Sequence, residues 1–111
     1  MFGFGKTASH REVTAMELNA MLAAGTATLV DVREPNEFAA EHIAGAINQP
    51  LSSFDPAVLP VVASKTVVLQ CAGGKRSGLA LDKCASAKAA IDTHLGGGVA
   101  AWKAAGLPTV R

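Results

Sequence analysis

Short apolar segments alternate along this chain with segments of helical spacing, and this alternation limits the folds open to it. The clearest strand is "TVVLQC" over residues 66–71, and a second buried strand is predicted over residues 28–32. Both are apolar and β-branched along their length, the pattern of strands that are covered on both faces. Strands that alternate with helices form parallel sheets, because a parallel connection needs a long crossover. The sequence therefore predicts an α/β domain with a central parallel sheet and helices on both faces.

The ends of the helices carry recognisable signals. Thr14 and Glu17 have the spacing of a capping box, and Gly25 is placed to end the helix that they begin. A second helix is predicted from Pro35, with acidic residues in its first turn, through residue 42. The remaining predicted elements are an edge strand over residues 11–13, a short strand within 45–50, one or two helical turns within 51–60, a helix over 76–90, a possible strand over 90–95 and a closing helix within 97–106.

Length and charge narrow the classes of protein that this chain can represent. Its 111 residues predict one domain over 1–111, with residues 1–9 as a flexible N-terminal lead. The net charge of +1 gives no reason to expect nucleic acid or an anionic membrane as partner. No apolar run approaches the ~20 residues of a membrane span, and the first residues lack the apolar stretch of a secretory signal. A cytoplasmic protein is therefore predicted, in which cysteines are reactive or buried rather than paired.

A cysteine ends the clearest strand, and a glycine-rich cationic segment follows it. Ligand sites of parallel sheets lie beyond the carboxyl ends of the strands, which is where Cys71 falls. Gly73 and Gly74 permit the backbone angles of a loop whose amides point inward. Lys75, Arg76 and the start of the next helix add positive potential. Together these features predict a stabilised thiolate with a pKa below that of a free cysteine.

A nucleophilic cysteine that carries a covalent intermediate is the functional interpretation of this segment. The alternative is a buried cysteine before an ordinary turn, which the glycine-rich cationic sequence makes the weaker interpretation. Cys84 lies in apolar company within the next helix and is predicted to pack in the core. The histidines are scattered, and the two cysteines have no paired ligand nearby, so no metal site and no cofactor are predicted. The predicted substrate-binding residues are Ala72, Gly73, Gly74, Lys75, Arg76 and Ser77.

Three stretches together resemble the rhodanese-like sulfurtransferases. They are "LVDVREPNEFAAEHIAGAIN" over residues 29–48, "CAGGKRS" over 71–77 and "LGGGVAAWKAAGLP" over 95–108. The first is similar to the family's "DVR…EF…GHIPGA" region and the last to its "GG…AW…G.P" close. The resemblance implies a single-domain rhodanese in which the Cys71 thiolate attacks the outer sulfur of a small anionic donor such as thiosulfate. Sulfite would leave, and a persulfide would remain until a thiol or cyanide accepts the sulfur.

The other residues marked by these stretches are predicted to be scaffold. Asp31 and Arg33 could form a carboxylate–guanidinium pair that holds neighbouring loops together. The same reasoning treats His42 as a hydrogen-bonded turn residue. Trp102 is expected to pack on the sheet face, with Gly97 and Gly98 allowing its helix to approach closely.

Two further functions stay open, a cysteine phosphatase or arsenate reductase and a non-catalytic domain that binds a partner or carries sulfur. Four residues separate Cys71 from Arg76, whereas cysteine phosphatases place five residues between cysteine and arginine. The shorter loop has room for a persulfide sulfur but not for a full phosphate. The intact cysteine and loop disfavour a non-catalytic domain. No protein acceptor can be named from the sequence.

Overall fold

The computed structural model describes residues 10–111, so the lead predicted for residues 1–9 lies outside the described residues. Within that range five strands form one sheet in the order β1-β5-β4-β2-β3, and all neighbouring strands are parallel. This confirms the predicted α/β fold. The elements are β1 (Arg11–Val13), α1 (Ala15–Ala24), β2 (Ala27–Asp31), α2 (Pro35–Ala40), β3 (Ile47–Asn48), 3₁₀ turns at Leu51–Ser53 and Pro56–Val58, β4 (Thr66–Gln70), α3 (Lys75–Ser86), β5 (Thr93–Leu95) and α4 (Gly98–Ala104).

Both faces of the sheet are covered, as predicted. Along β4, Val67 and Leu69 pack in the cluster that contains α3, whereas Val68 packs in the cluster that contains α1 and α4. This division follows from the two-residue period of a strand, which sends successive side chains to opposite faces. The sheet therefore carries one apolar core on each side, and its central strand β4 belongs to both.

The helix ends follow the local signals in some places and tertiary contacts in others. Helix α1 begins with the predicted capping box, in which Glu17 N–H donates to Thr14 Oγ1 and Thr14 N–H donates to the Glu17 carboxylate. Helix α2 ends at Ala40 rather than at residue 42, because His42 leaves the helix to pair with Val110 in an antiparallel bridge. Helix α3 begins one residue earlier than predicted and ends at Ser86, four residues earlier.

The start of α4 is held against the end of β4. Val99 N–H donates to the Cys71 carbonyl at 2.9 Å, and Ala100 N–H donates to the Ala72 carbonyl at 3.0 Å. Gly98 has a φ of 61° and its backbone lies so close that a Cβ there would overlap the Cys71 carbonyl oxygen. The close approach predicted for this helix is therefore confirmed at Gly98. Trp102 is 3% exposed in the core cluster of this face, as predicted.

Candidate active site

Cys71 lies immediately after β4, at the carboxyl edge of the sheet, and is only 1% exposed. The Gly74 N–H donates to its Sγ at 3.0 Å. Gly74 can do so because its φ of 106° turns the chain back toward the sulfur before α3 begins. The prediction that both loop glycines are needed for unusual backbone angles is right for Gly74 and wrong for Gly73, whose φ is not in the positive region.

Ser77 is the second group that reaches the sulfur. It is buried in the first turn of α3, where its Oγ accepts a hydrogen bond from the Cys71 thiol at 3.6 Å. Burial by itself raises the pKa of Cys71. Once the sulfur is a thiolate, the Ser77 hydroxyl can donate to it, and hydrogen bonds from the Ser77 amide and hydroxyl and from the Gly74 and Gly73 amides more than offset the effect of burial. The pKa of Cys71 is therefore lowered, and these hydrogen bonds contribute more to the shift than the charge of Arg76 does.

Arg76 forms an ion pair that the sequence did not predict. Its guanidinium makes two hydrogen bonds with the Glu37 carboxylate of α2, at 2.7 and 2.9 Å. The charge of Arg76 is thus shared with a carboxylate rather than left free at the rim, and it ties α3 to α2. The other predicted cation, Lys75, is exposed on the first turn of α3. Ala72 is also exposed and contributes its carbonyl to α4.

The Arg76–Glu37 pair predicts how stability should change in acid. Hydrogen bonds from Arg76 hold the pKa of Glu37 at about 2, below its ordinary value of 4.5. Because the pKa of Glu37 is lower in the folded protein than in the unfolded chain, the pair adds to the free energy of unfolding above pH 4.5. This contribution is lost as the pH falls toward 2. The pair is partly exposed, so we expect the loss to be about 1 kcal/mol or less. Urea unfolding across this pH range should show a shallower dependence for Glu37→Gln than for the native protein.

A charge-matched control for this measurement is Glu17→Gln, because Gln can keep the capping box of α1. Glu17→Gln should retain the part of the pH dependence that the Arg76–Glu37 pair gives the native protein. If Glu37→Gln and Glu17→Gln gave the same curve, the ion pair would not contribute to acid stability.

Cys84 is the other free cysteine among the described residues, and it differs from Cys71 in its surroundings. It is 0% exposed in the core under α3, and burial raises its pKa to about 11. The prediction of core packing is confirmed.

We expect iodoacetamide to modify Cys71 before Cys84 in the native protein at neutral pH. Both thiols are buried, but the pKa of Cys71 is lowered whereas that of Cys84 is raised, so a larger fraction of Cys71 is the reactive thiolate. Digestion and mass spectrometry would assign the modified residue, and modification of Cys84 first would contradict the assignment.

The scaffold predictions for the first motif are confirmed by its contacts. The Asp31 carboxylate accepts from Arg33 Nε at 3.1 Å and from Arg33 Nη2 at 2.7 Å. Arg33 Nη2 also donates to the Glu41 carbonyl at 2.7 Å, so the pair joins β2 to the end of α2. His42 Nδ1 lies 2.8 Å from the Phe38 carbonyl oxygen, and the two rings stack 3.9 Å apart.

Sequence reasoning missed a histidine that contacts the site. His94 of β5 places Nδ1 2.7 Å from Ser77 Oγ, and its Nε2 lies 3.5 Å from the Glu12 carboxylate of β1. His94 reaches the site because β5 lies beside β4, with Leu69 and His94 as register partners. That adjacency depends on the strand order rather than on spacing along the chain.

The fold and this cysteine loop define the class of protein. Residues 14–105 match the family described as Rhodanese-like domain, and the chain belongs to that family. The chain is 53% identical over 83 residues to an uncharacterised protein of Synechocystis, a match that spans 75% of this chain and 46% of that protein. It spans about half the length of the curated relatives that it matches.

Solved structures share the same fold. A rhodanese-related protein of Thermoplasma volcanium superposes with a TM-score of 0.76 at 30% identity, over 91% of this chain and 98% of that chain. A thiosulfate sulfurtransferase of Pseudomonas aeruginosa superposes with a TM-score of 0.77 at 24% identity, over 97% of this chain and 21% of that chain. The second likeness concerns the fold alone. Among the described helices, none combines the length and apolar character that a bilayer crossing needs.

Proposed function

We propose that this protein is a sulfurtransferase that moves a sulfane sulfur from a small anionic donor, such as thiosulfate, to a thiophilic acceptor through a persulfide on Cys71. The observation that carries the proposal is the Gly74 amide, which donates to Sγ at 3.0 Å from within a loop of four residues between Cys71 and Arg76. An amide that stabilises a thiolate also stabilises the anionic sulfur of a persulfide. Membership of the rhodanese-like family supports the same chemistry.

The sulfur-transfer steps take place at the Cys71 thiolate held by this loop. The thiolate of Cys71 attacks the outer sulfur of thiosulfate, a sulfur–sulfur bond forms to Sγ, and sulfite leaves with the electron pair of the broken bond. A thiol or cyanide then attacks the outer sulfur of the persulfide, and Cys71 is released as a thiolate. Neither step calls for a metal or organic cofactor, because the thiolate is the first nucleophile, the sulfane sulfur is the electrophile in both steps, and sulfite and then the Cys71 thiolate are the leaving groups.

Incubation with thiosulfate followed by intact-protein mass spectrometry tests the proposal. We expect the mass to rise by one sulfur atom and to return to its starting value after cyanide is added. The thiocyanate produced should exceed the amount of protein many times, since a sulfur carrier without turnover would release a single equivalent. A protein that never gains the sulfur atom would contradict the proposal, whereas gain without turnover would favour the carrier function.

Loop length separates sulfur transfer from phosphate chemistry. We propose that the loop of four residues between Cys71 and Arg76 can hold the outer sulfur of a persulfide but is too short to surround a tetrahedral phosphate. We expect negligible hydrolysis of aryl phosphates by the native protein, and a loss of sulfur transfer on the order of a hundredfold when one glycine is inserted after Gly73. Both activities can be measured on the same two proteins. Phosphatase turnover by the native chain that depends on Cys71 would contradict the sulfurtransferase proposal.

We also propose that the protein works in a reducing compartment such as the cytoplasm. The mechanism needs Cys71 as a free thiol, and both cysteines are free. The cellular acceptor would then be a thiol, either a small molecule or a protein cysteine.

A further inference from the structure

A chain of polar groups runs from the active-site sulfur through the sheet edge to the surface. The Cys71 thiol contacts Ser77 Oγ at 3.6 Å, and Ser77 Oγ lies 2.7 Å from His94 Nδ1. His94 Nε2 lies 3.5 Å from Glu12 Oε2. The first three residues are buried, whereas the side chain of Glu12 is 67% exposed. This series of contacts therefore links a buried thiol to an exposed carboxylate through one hydroxyl and one imidazole.

The hydrogen of the Ser77 hydroxyl can serve only one acceptor at a time. While Cys71 is a thiol and itself donates to Ser77 Oγ, the candidates are the Gly74 carbonyl at 3.2 Å and His94 Nδ1 at 2.7 Å, and the shorter contact favours the imidazole. When Nδ1 accepts, the proton of a neutral His94 must lie on Nε2, which faces the Glu12 carboxylate. Burial lowers the pKa of His94, although Glu12 opposes this effect, and the lowered pKa favours the neutral imidazole, the form that can accept a proton.

We propose that His94 is a positioning residue that receives the Cys71 thiol proton through Ser77. The thiol S–H bond breaks as its proton moves to Ser77 Oγ, and the original Ser77 O–H bond breaks as that proton moves to His94 Nδ1. The products are a Cys71 thiolate, an unchanged Ser77 hydroxyl and a His94 imidazolium that faces Glu12. The inference rests on the proposed role of Cys71 as nucleophile, and no electron or co-reactant is required.

Besides Glu12 on β1, His94 has an ionisable neighbour in His10, which precedes β1 and is bonded to Asp82 of α3. The His10 ring meets the His94 ring edge-on with centroids 5.9 Å apart, and His10 Nε2 bonds to Asp82 at 2.9 Å. A protonated His10 would oppose the imidazolium, whereas Glu12 stabilises it. Glu12 is the only group of this set that contacts His94 Nε2 as an acceptor among residues 10–111.

The test measures ionisation of Cys71 without any sulfur donor. In His94→Gln the amide can still bond to Ser77 but cannot hold the thiol proton. We expect the apparent pKa of Cys71, followed by thiolate ultraviolet absorbance and by iodoacetamide rate, to rise by about one unit, a tenfold lower thiolate fraction near neutral pH. The double variant Ser77→Ala/His94→Gln should raise the apparent pKa of Cys71 by less than the sum of the increases in the two single variants, because both residues act on one proton path.

A second pair of variants keeps the test decisive if His94→Gln does not fold. Glu12→Gln changes an exposed side chain and should shift the Cys71 profile in the same direction by a smaller amount. Glu17→Gln, an equal charge change in the capping box of α1, should not shift it. Nitrogen NMR of His94 should also show a titration in the native protein that changes when Cys71 is replaced by Ser. A structural hydrogen bond alone would not produce that coupling.

Two results would overturn the inference. One is a folded His94→Gln variant with the native ionisation profile, and the other is an imidazole titration that Cys71→Ser leaves unchanged. Persulfide formation from thiosulfate is measured separately on the same proteins. A coupled titration in a protein that forms no persulfide would leave the relay standing and reject the proposed sulfur transfer instead.

Discussion

Cys71→Ser should lose sulfur transfer from thiosulfate by a factor on the order of a thousand or more, while the protein folds normally. The serine oxygen can keep the hydrogen bond from the Gly74 amide, so the loop retains its geometry. A serine hydroxyl is not ionised at neutral pH, however, and it cannot form the sulfur–sulfur bond of a persulfide. Steady-state thiocyanate production and the absence of a mass increase would measure the loss.

The matched control is Cys84→Ser, the same atomic change in a different environment. This variant should form the persulfide at the native rate, because Cys84 is enclosed by the apolar cluster of α3 and the hydrogen bonds of the Cys71 sulfur are made with Gly74 and Ser77. It should lose about 1–3 kcal/mol of stability from burying a hydroxyl at a position that is 0% exposed. An inactive Cys84→Ser beside an active Cys71→Ser would reverse the assignment of the nucleophile.

Gly98→Ala should destabilise the protein by about 3 kcal/mol, the largest stability effect that we expect from one methyl group here. Its φ of 61° is costly for alanine, and the added Cβ would overlap the Cys71 carbonyl and lie 2.6 Å from the Ala72 carbonyl oxygen. Relief of that overlap must move α4 away from the residues that carry the nucleophile. Sulfur transfer by the folded fraction should therefore fall on the order of a hundredfold.

Variants at two other glycines separate the cost of backbone strain at Gly98 from the cost of steric overlap. Gly45 has a φ of 86° and nothing lies within 4 Å of the point that an added Cβ would occupy, so Gly45→Ala should cost about 1 kcal/mol through backbone strain alone. Gly73 has neither a positive φ nor a near neighbour, and Gly73→Ala should change stability by less than about 1 kcal/mol. Urea unfolding of the three variants would rank them. Equal losses at positions 98 and 45 would show that steric overlap with the Cys71 segment is unimportant.

Local patterns accounted for the elements because each depends on residues close in the chain. The apolar run that became β4 predicts a buried strand, and the capping box of Thr14 and Glu17 predicts where α1 begins. The end of α2 was less predictable, since His42 leaves the helix for a bridge to Val110 near the other end of the chain. A helix boundary decided by such a distant partner leaves no local signal.

The sequence by itself determined the parallel α/β fold and the position of Cys71 at the carboxyl end of a strand, because period and turn chemistry act over a few residues. Only the tertiary structure decided the partners of the site. Arg76 meets Glu37 across 39 positions, and Ser77 meets His94 across 17. Both contacts require the strand order β1-β5-β4-β2-β3, which sets β5 beside β4 and brings α2 near α3. Spacing along the chain does not specify that order. The ion pair of Arg76 and the contact of Ser77 with His94 are therefore visible only in the folded structure.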